Sequence, residues 1–159
     1  EAQVDRFLFK LRVEYPGRED ELEILRREAH ADRPTLATVV KPEQILRSRR
    51  TVRSIYMDAR VEEYIVDLVR ATREPERVGL GHRAALIEYG ASPRAAIFLA
   101  RASKAYAYIR HRAYVVPEDV LSVAMDALRH RLIPSYEAEA EEGTNEDLIA
   151  EVLSAVRVP

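Results

Sequence analysis

The chain has 159 residues, 47% of them hydrophobic and 33% charged, which suits one domain, or one small domain with part of another. A formal net charge of −2 and a pI near 6.2 argue against a dedicated DNA-binding protein, whose surface normally carries a basic excess. Absence of cysteine excludes disulfides and cysteine-based zinc sites, the four histidines are too scattered to bind a metal together, and no apolar run approaches the roughly 18 residues of a membrane span.

The first predicted element is a strand near the N-terminus. From Phe7 to Tyr15 every second residue is apolar or aromatic, a period of two that is typical of a strand, and a Pro-Gly pair ends it. A single strand cannot satisfy its backbone hydrogen bonds alone, so either it pairs with a neighbouring molecule or its sheet lies in sequence before Glu1, and we favour the second. Because the chain starts without methionine, in a stretch of helical character, we also expect it to be cut from a longer protein.

The remainder of the chain is predicted to be mainly helical, as a bundle. Apolar residues at spacings of three and four predict helices over 17–30, 42–53, 58–74, 93–111, 117–131 and after Thr144. Asp58, Ser92 and Thr144 stand at N-cap positions, and prolines suit the first turns of three of the helices. The glycine-rich segment 75–91 is predicted to be irregular with a short helix near 84–87, and 132–143 is predicted to be a loop.

Arg94 stands near the second position of the helix that follows Ser92. A cation there opposes the helix dipole, and acids are the usual choice. The position makes sense if the arginine meets an anion that the same helix N-terminus attracts, such as a phosphate. Arg101, two turns further along, could extend this basic edge. For both residues the alternative is an ordinary solvated surface arginine.

Other candidate residues have simpler explanations. Arg6, just before the strand, is by its position alone an exposed arginine at a helix end. Tyr106, Tyr108 and Tyr114 raise the possibility of base stacking, but their surroundings are not strongly basic, so core packing is favoured. The Arg129–Arg131 triplet at a helix end is suited to binding the last carbonyls of that helix. Phosphate-loop, magnesium-binding and Ser-His-Asp motifs are absent, so the chain alone is expected to be inactive.

Several short motifs follow one another in a fixed order: EAQVDRF before the strand, then VEEYIVDLVRATRE, GASPRA, YVVPEDV and LRHRL. In this order they resemble the C-terminal part of MoxR-type AAA+ ATPases, over nearly the whole chain. The resemblance implies that residues 1–30 are the last strand and helix of a nucleotide-binding core and that residues 31–159 form its helical lid. It also implies that 75–91 is the insertion that repositions the lid.

The resemblance assigns roles to the arginines. Arg6, in the DRF motif, matches the arginine finger that reaches into the nucleotide site of the adjacent subunit. Arg94, in GASPRA, matches the sensor-2 arginine that contacts the nucleotide phosphates, and Arg101 is a weaker nucleotide-binding candidate. ATP and Mg²⁺ are the cofactors expected of the intact protein. The phosphate loop, magnesium-binding acids and first sensor would lie upstream of Glu1, so little or no nucleotide binding is expected of this chain alone.

The resemblance also implies partners. The intact protein is expected to be a homo-oligomeric ring, most simply a hexamer, working in the cytoplasm to remodel or activate proteins with von Willebrand factor A domains. One alternative is a non-enzymatic helical interaction module with a self-contained fold. Another is a helical DNA-binding domain, but the helix at 117–131 is acidic at its start and lacks a basic recognition face. An N-terminal stretch satisfied within the same chain, together with an Arg94 buried against an internal carboxylate, would overturn the ATPase interpretation.

Overall fold

The computed structural model describes residues 3–30, 36–140 and 144–159. The α-helices are α1 (Arg18–His30), α2 (Pro42–Ser54), α3 (Ala59–Ala71), α4 (Pro93–Ile109), α5 (Pro117–Leu128), α6 (Tyr136–Ala140) and α7 (Asn145–Ala155). Two short 3-10 helices, Pro75–Val78 and Gly81–Leu86, occupy the predicted irregular segment. The mainly helical class is confirmed. In the part of the chain that is described, no helix combines the length and the apolar character needed to cross a membrane.

The helices begin where local sequence favours it. The Asp58 carboxylate accepts the Arg60 backbone N–H at 3.0 Å, and the Thr144 hydroxyl accepts that of Asp147 at 3.2 Å, as the capping pattern predicts. Asp147 in turn accepts the backbone N–H of Thr144 at 2.9 Å, which closes a reciprocal capping box. These caps fix the first turns of α3 and α7, so both helices enter the bundle at defined residues.

The core lies between α3, α4 and α5, with α7 packed on α5. Leu68, Leu99 and Leu128, one from each of the three central helices, are completely buried, and Ile149 of α7 joins them. The predicted apolar stripes of α3 and α5 are buried throughout. Removal of these side chains from water is the main contribution to the stability of the bundle.

The N-terminal strand predicted over 7–15 is not formed. Residues 9–17 have no regular secondary structure, and Val13 and Tyr15 are 90% and 96% exposed. Apart from the Lys10 N–H, which the Asp126 carbonyl accepts at 2.9 Å, this segment lacks the partner that a strand needs. The helix that follows, α1, is similar: every side chain described in it is exposed except that of Leu22, which is half-buried.

A small sheet forms where the sequence predicted irregular structure. β1 (Ile87–Tyr89) pairs antiparallel with β2 (Ile133–Pro134), in a register that sets Ile87 opposite Pro134. The short helix α6 follows directly, so the predicted loop 132–143 is partly ordered structure. Strands of three and two residues are too short to show an alternating pattern, which is why the sequence gives no sign of them.

Candidate functional site

The N-terminus of α4 is fastened to the end of α3. The Thr72 hydroxyl donates to the Val69 carbonyl at 2.7 Å and accepts the Ala91 backbone N–H at 2.9 Å, and all of these groups are buried. Gly90 lies so close to Thr72 that a Cβ on it would collide with the Thr72 carbonyl oxygen. Only glycine allows this approach, so the segment that leads into α4 has a fixed position on the bundle.

Arg94 is the second residue of α4, and the first turn of that helix contains no acid. Its side chain remains 51% exposed, and its Nη1 lies 3.5 Å from Oδ2 of Asp5. The arginine is therefore neither buried nor tightly paired. Ser92 occupies the N-cap position but does not cap the helix with its side chain. Its hydroxyl donates to the same Asp5 Oδ2 at 3.1 Å.

Arg6 follows Asp5 in the turn near the N-terminus, and its side chain is exposed. The guanidinium lies over the Phe7 ring, 5.5 Å from the ring centre, and forms no ion pair with any residue that the structure describes. Because Asp5 contacts Arg94, the turn that carries Arg6 lies beside the N-terminus of α4, although the two arginines are 88 positions apart in the sequence.

Arg131 holds this turn in place from inside the protein. Its side chain has no exposed surface. Nε donates to Asp5 Oδ1 at 2.9 Å, and Nη2 donates to the carbonyl oxygens of Asp5, at 2.8 Å, and Phe7. Nη1 donates to the carbonyls of Leu8, at 3.2 Å, and Ala127. All five N–H donors of the guanidinium are thus used, which is the condition for burying an arginine at low cost.

The two preceding residues bind the same N-terminal segment. Arg129 Nη1 donates to the Lys10 carbonyl at 2.5 Å, and the Lys10 backbone N–H donates to the carbonyl of Asp126 at 2.9 Å. His130 Nε2 lies 3.0 Å from the Phe7 carbonyl oxygen. Of the three residues predicted to bind the last carbonyls of their own helix, only Arg131 does so. All three residues contact residues 5–10, and Arg129 also binds the carboxylates of Asp126 and Glu146, each at 2.6 Å.

Burial changes the pKa values of two residues in this cluster. It lowers the pKa of His130 below its ordinary 6.5, and it also lowers the pKa of Arg131, against the opposing effect of Asp5. Arginine starts from so high a value that it stays charged, whereas His130 is kept neutral. Neither residue nor Asp5 was identified from the sequence as binding the N-terminal segment. One feature of the sequence could have indicated this binding: three basic residues lie between the apolar Leu128 and Leu132, and basic side chains there need hydrogen-bond acceptors nearby.

Arg101 lies elsewhere. It is exposed on α4 and lines a groove of about 880 Å³ against α2, together with Arg49, Arg53 and Tyr108. Arg94 is not among the described residues that line this groove, so the structure does not gather the two α4 arginines into one cluster. The predicted basic edge along α4 is instead two separate positions on the same helix.

The tyrosines divide between core and surface. Tyr106 packs partly buried against the core, as predicted. Tyr114 is 53% exposed, and Tyr108 is exposed with its hydroxyl donating to Ser48 Oγ at 3.0 Å. Core packing is therefore correct for Tyr106 and wrong for the other two, which lie at the C-terminal end of α4 and just before α5.

Comparison with known proteins gives matches along the whole chain. Residues 81–152 match the family described as AAA lid domain. The chain is 38% identical over 159 residues to Chaperone MoxR1 of Mycobacterium tuberculosis and 39% identical over 160 residues to the uncharacterized protein YeaC of Bacillus subtilis. A crystal structure from Cytophaga hutchinsonii, described provisionally as an ATPase, matches 99% of the chain with a TM-score of 0.94 at 41% identity.

The chain spans less than half of each of these proteins: 42% of MoxR1, 47% of YeaC and 48% of the crystallised chain. The lid match falls on the segment that includes α4, α5 and the Arg129–Arg131 triplet, so the site described above lies on the lid and on the segment bound to it. Together with the helical bundle, these similarities show that the chain carries an AAA lid domain and corresponds to the C-terminal part of MoxR-type AAA+ ATPases.

Proposed function

We propose that the longer protein carrying this chain hydrolyses ATP and that this chain supplies the lid that closes over the nucleotide. In this proposal residues 1–30 complete the nucleotide-binding core and residues 31–159 form the lid. ATP and Mg²⁺ are held mainly by the remainder of the protein, including the magnesium-binding acids. Closure of the lid couples hydrolysis to the remodelling or activation of partner proteins, a role for which the name of the chaperone MoxR1 gives support.

The placement of Arg94 carries this proposal. A helix N-terminus has a partial positive charge, and a guanidinium in the first turn adds a full one, so an anion near both is stabilised. The Arg94 side chain is half exposed and its contact with Asp5 is loose, so it can turn toward a phosphate without breaking a buried pair. In that position it would neutralise charge that develops on the transferred phosphoryl group. Arg101 is a secondary candidate, with a weaker contact expected.

The exposure of Arg6 supports its role as an arginine finger. A finger acts in the nucleotide site of the adjacent subunit, so its guanidinium must project from its own subunit. Arg6 meets this condition, and the anchored Asp5 beside it fixes the backbone from which it projects. A fixed backbone matters because a positioned cation loses less freedom when it reaches the transition state.

The test is to substitute each arginine in the full-length protein and to measure ATP turnover. Arg94→Ala and Arg6→Ala are each expected to lower turnover at least about tenfold, since a supplied arginine is worth more than this in related phosphoryl transfers. Arg101→Ala should have a smaller effect, and Arg70→Ala is the control because Arg70 forms only a partly exposed pair with Glu74. The thermal midpoint should stay close to that of the wild type.

Mixed rings separate the two roles. Subunits with Arg6→Ala should regain turnover when wild-type neighbours supply the finger, whereas subunits with Arg94→Ala should not, because that arginine acts within its own subunit. Wild-type turnover in both variants would contradict both assignments. A full-length protein without any ATP turnover would favour the non-enzymatic interaction module instead.

The remaining parts of the proposal concern assembly and location. The adjacent subunits are proposed to be copies of the same protein in a ring, most simply a hexamer, in the cytoplasm. Proteins with von Willebrand factor A domains are the proposed partners. These expectations rest on the family resemblance, in which ring neighbours are needed for Arg6 to act in trans.

A further inference from the structure

A single carboxylate connects the two proposed functional arginines. Asp5 Oδ1 accepts the Arg131 Nε–H at 2.9 Å. Asp5 Oδ2 accepts the Ser92 hydroxyl at 3.1 Å and lies 3.5 Å from Nη1 of Arg94. Asp5 is also the residue directly before Arg6. The carboxylate therefore lies between the turn that carries Arg6 and the helix end that carries Arg94.

The contacts that the two oxygens of this carboxylate make with arginines differ in strength. Asp5 Oδ1 accepts a charge-assisted hydrogen bond from the fully buried Arg131 guanidinium. Such a bond is strong when every N–H of the guanidinium has an acceptor. The Arg131 guanidinium also lies 4.9 Å from the centre of the Phe98 ring on α4, so it holds α4, the end of α5 and the Asp5 turn together. Asp5 Oδ2 makes a longer contact with the half-exposed Arg94 guanidinium, and solvent weakens this ion pair.

We propose that Arg131 is a positioning residue for the arginine finger and that Asp5 is a shared acceptor that links the finger to Arg94. This inference rests on the proposed function of Arg6 and Arg94. In the absence of nucleotide the Arg94 guanidinium stays beside Asp5, and a bound phosphate competes with Asp5 for it. When Arg94 turns to a phosphate, Asp5 keeps its bonds to Arg131 and Ser92, so the Arg6 turn stays attached to the lid.

One consequence is that the core segment that carries the finger is bound directly to the lid of its own subunit. Residues 5–10 are bound by the triplet at the end of α5, through acceptors on Asp5, Phe7, Leu8 and Lys10. Closure of the lid over its own nucleotide would then change the forces on this core segment and so the position of the same subunit's Arg6 at the neighbouring site. The state of one site would be communicated to the next through Asp5 and Arg131.

The experiment uses mixed rings of the full-length protein. One kind of subunit carries Arg6→Ala, with an intact nucleotide site, and the other carries a phosphate loop inactivated by substitution but a wild-type Arg6. These donor subunits should restore turnover by supplying the finger. Donors that also carry Arg131→Lys should restore less than about a tenth of that turnover, because lysine offers three donors and no planar fork.

The donor's own site is inactive, so this measurement reports only how Arg6 is presented. The matched control is Arg83→Lys in the donor, because Arg83 also binds a carboxylate through two nitrogens, that of Glu151, on α7. It should restore turnover fully. Equal rescue by Arg131→Lys donors would overturn the proposal. If wild-type donors fail to rescue, the proposed finger role itself is wrong.

Asp5→Asn provides a second test that leaves Arg131 and its backbone acceptors in place. As a donor it should rescue poorly, because the neutral amide binds Arg131 more weakly. In uniform rings it should lower kcat without raising KM for ATP, since it no longer competes for Arg94, whereas Arg94→Ala should raise KM. Full rescue by Asp5→Asn donors, or a rise in KM like that of Arg94→Ala, would contradict the proposal.

Discussion

At the end of α5 the imidazole of His130 is held half-buried against the N-terminal segment. Its Nε2 lies 3.0 Å from the Phe7 carbonyl oxygen, and its Nδ1 is buried without a hydrogen-bond partner among the described residues. A carbonyl oxygen only accepts, so Nε2 carries the proton and the neutral ring fits this site. Burial lowers its pKa, with further lowering by Arg131 and Lys10, while the Phe7 bond and Asp5 raise it.

The binding of residues 5–10 should therefore depend on pH. A free His130 ring takes up a proton below its ordinary pKa of 6.5, whereas the bound ring resists protonation until a lower pH. The attachment should be strongest above pH 6.5 and weaken as the pH falls below that value. Hydrogen exchange of the Lys10 amide, corrected for its intrinsic pH dependence, measures the attachment directly.

The matched control for this prediction is His130→Gln. Glutamine keeps an N–H donor for the Phe7 carbonyl but cannot titrate. Protection of the Lys10 amide in this variant should stay constant over the same range of pH. A loss of protection at acid pH that is identical in both proteins would assign the effect to another group.

Prediction from the sequence depends on how far apart the interacting residues lie. Arg6 and Arg94 could be singled out because each sits in a short local motif. Asp5 and Arg131 could not be paired, because their hydrogen bond joins positions 126 residues apart. Local patterns can indicate that three adjacent basic residues need acceptors, but not that the acceptors are backbone carbonyls of another segment.

Among the elements, the junction of α3 with α4 determines the direction of the proposed phosphate-binding helix. Thr72→Val removes the hydroxyl that accepts the buried Ala91 N–H, and it leaves that donor unpaired. The free energy of unfolding of this chain should fall by about 1–3 kcal/mol, the usual cost of an unsatisfied buried group. Denaturant unfolding measures it.

The control for the junction is Thr51→Val, since the Thr51 hydroxyl donates to the Arg47 carbonyl on the exposed surface of α2. Its unfolding free energy should change by no more than about 0.5 kcal/mol, as is usual for surface positions. Equal effects of the two substitutions would show that the Thr72 hydrogen bonds do not determine the stability of the junction.

At the level of elements, long amphipathic helices were predictable and short or partnerless elements were not. The stripes of α3 and α5 repeat over several turns, so their period is unambiguous. The pattern from Phe7 to Tyr15 is equally regular, but alternation specifies only which face a strand would bury. Pairing requires a second strand, so the segment remains without a ladder here.

For the whole molecule, this segment gives a test of the proposed division into core and lid. In the present chain the amides of residues 11–15 should exchange at close to their intrinsic rates, because they lie in an exposed segment without a ladder. In the longer protein they should become strongly protected if 7–15 is the last strand of the core sheet. The Leu68 amide, in the middle of a buried helix, is the internal standard.

The outcome is informative in either direction. Protection that appears only in the longer protein would establish that residues 7–15 belong to a sheet formed by other parts of the polypeptide. Rapid exchange in both proteins would contradict the predicted strand and with it the assignment of residues 1–30 to the core.

The hydrogen bonds of the Arg131 guanidinium also limit where this polypeptide can be truncated. Four of its five acceptors belong to Asp5, Phe7 and Leu8, which precede the lid in the sequence. A shortened chain beginning at α2 would remove those oxygens, and among its present acceptors Arg131 would keep only the Ala127 carbonyl. The smallest piece that folds well should therefore include the first ten residues, although they lie outside the lid match at 81–152. A truncation at the boundaries of the family match would remove the segment whose carboxylate and carbonyl oxygens bind the buried Arg131.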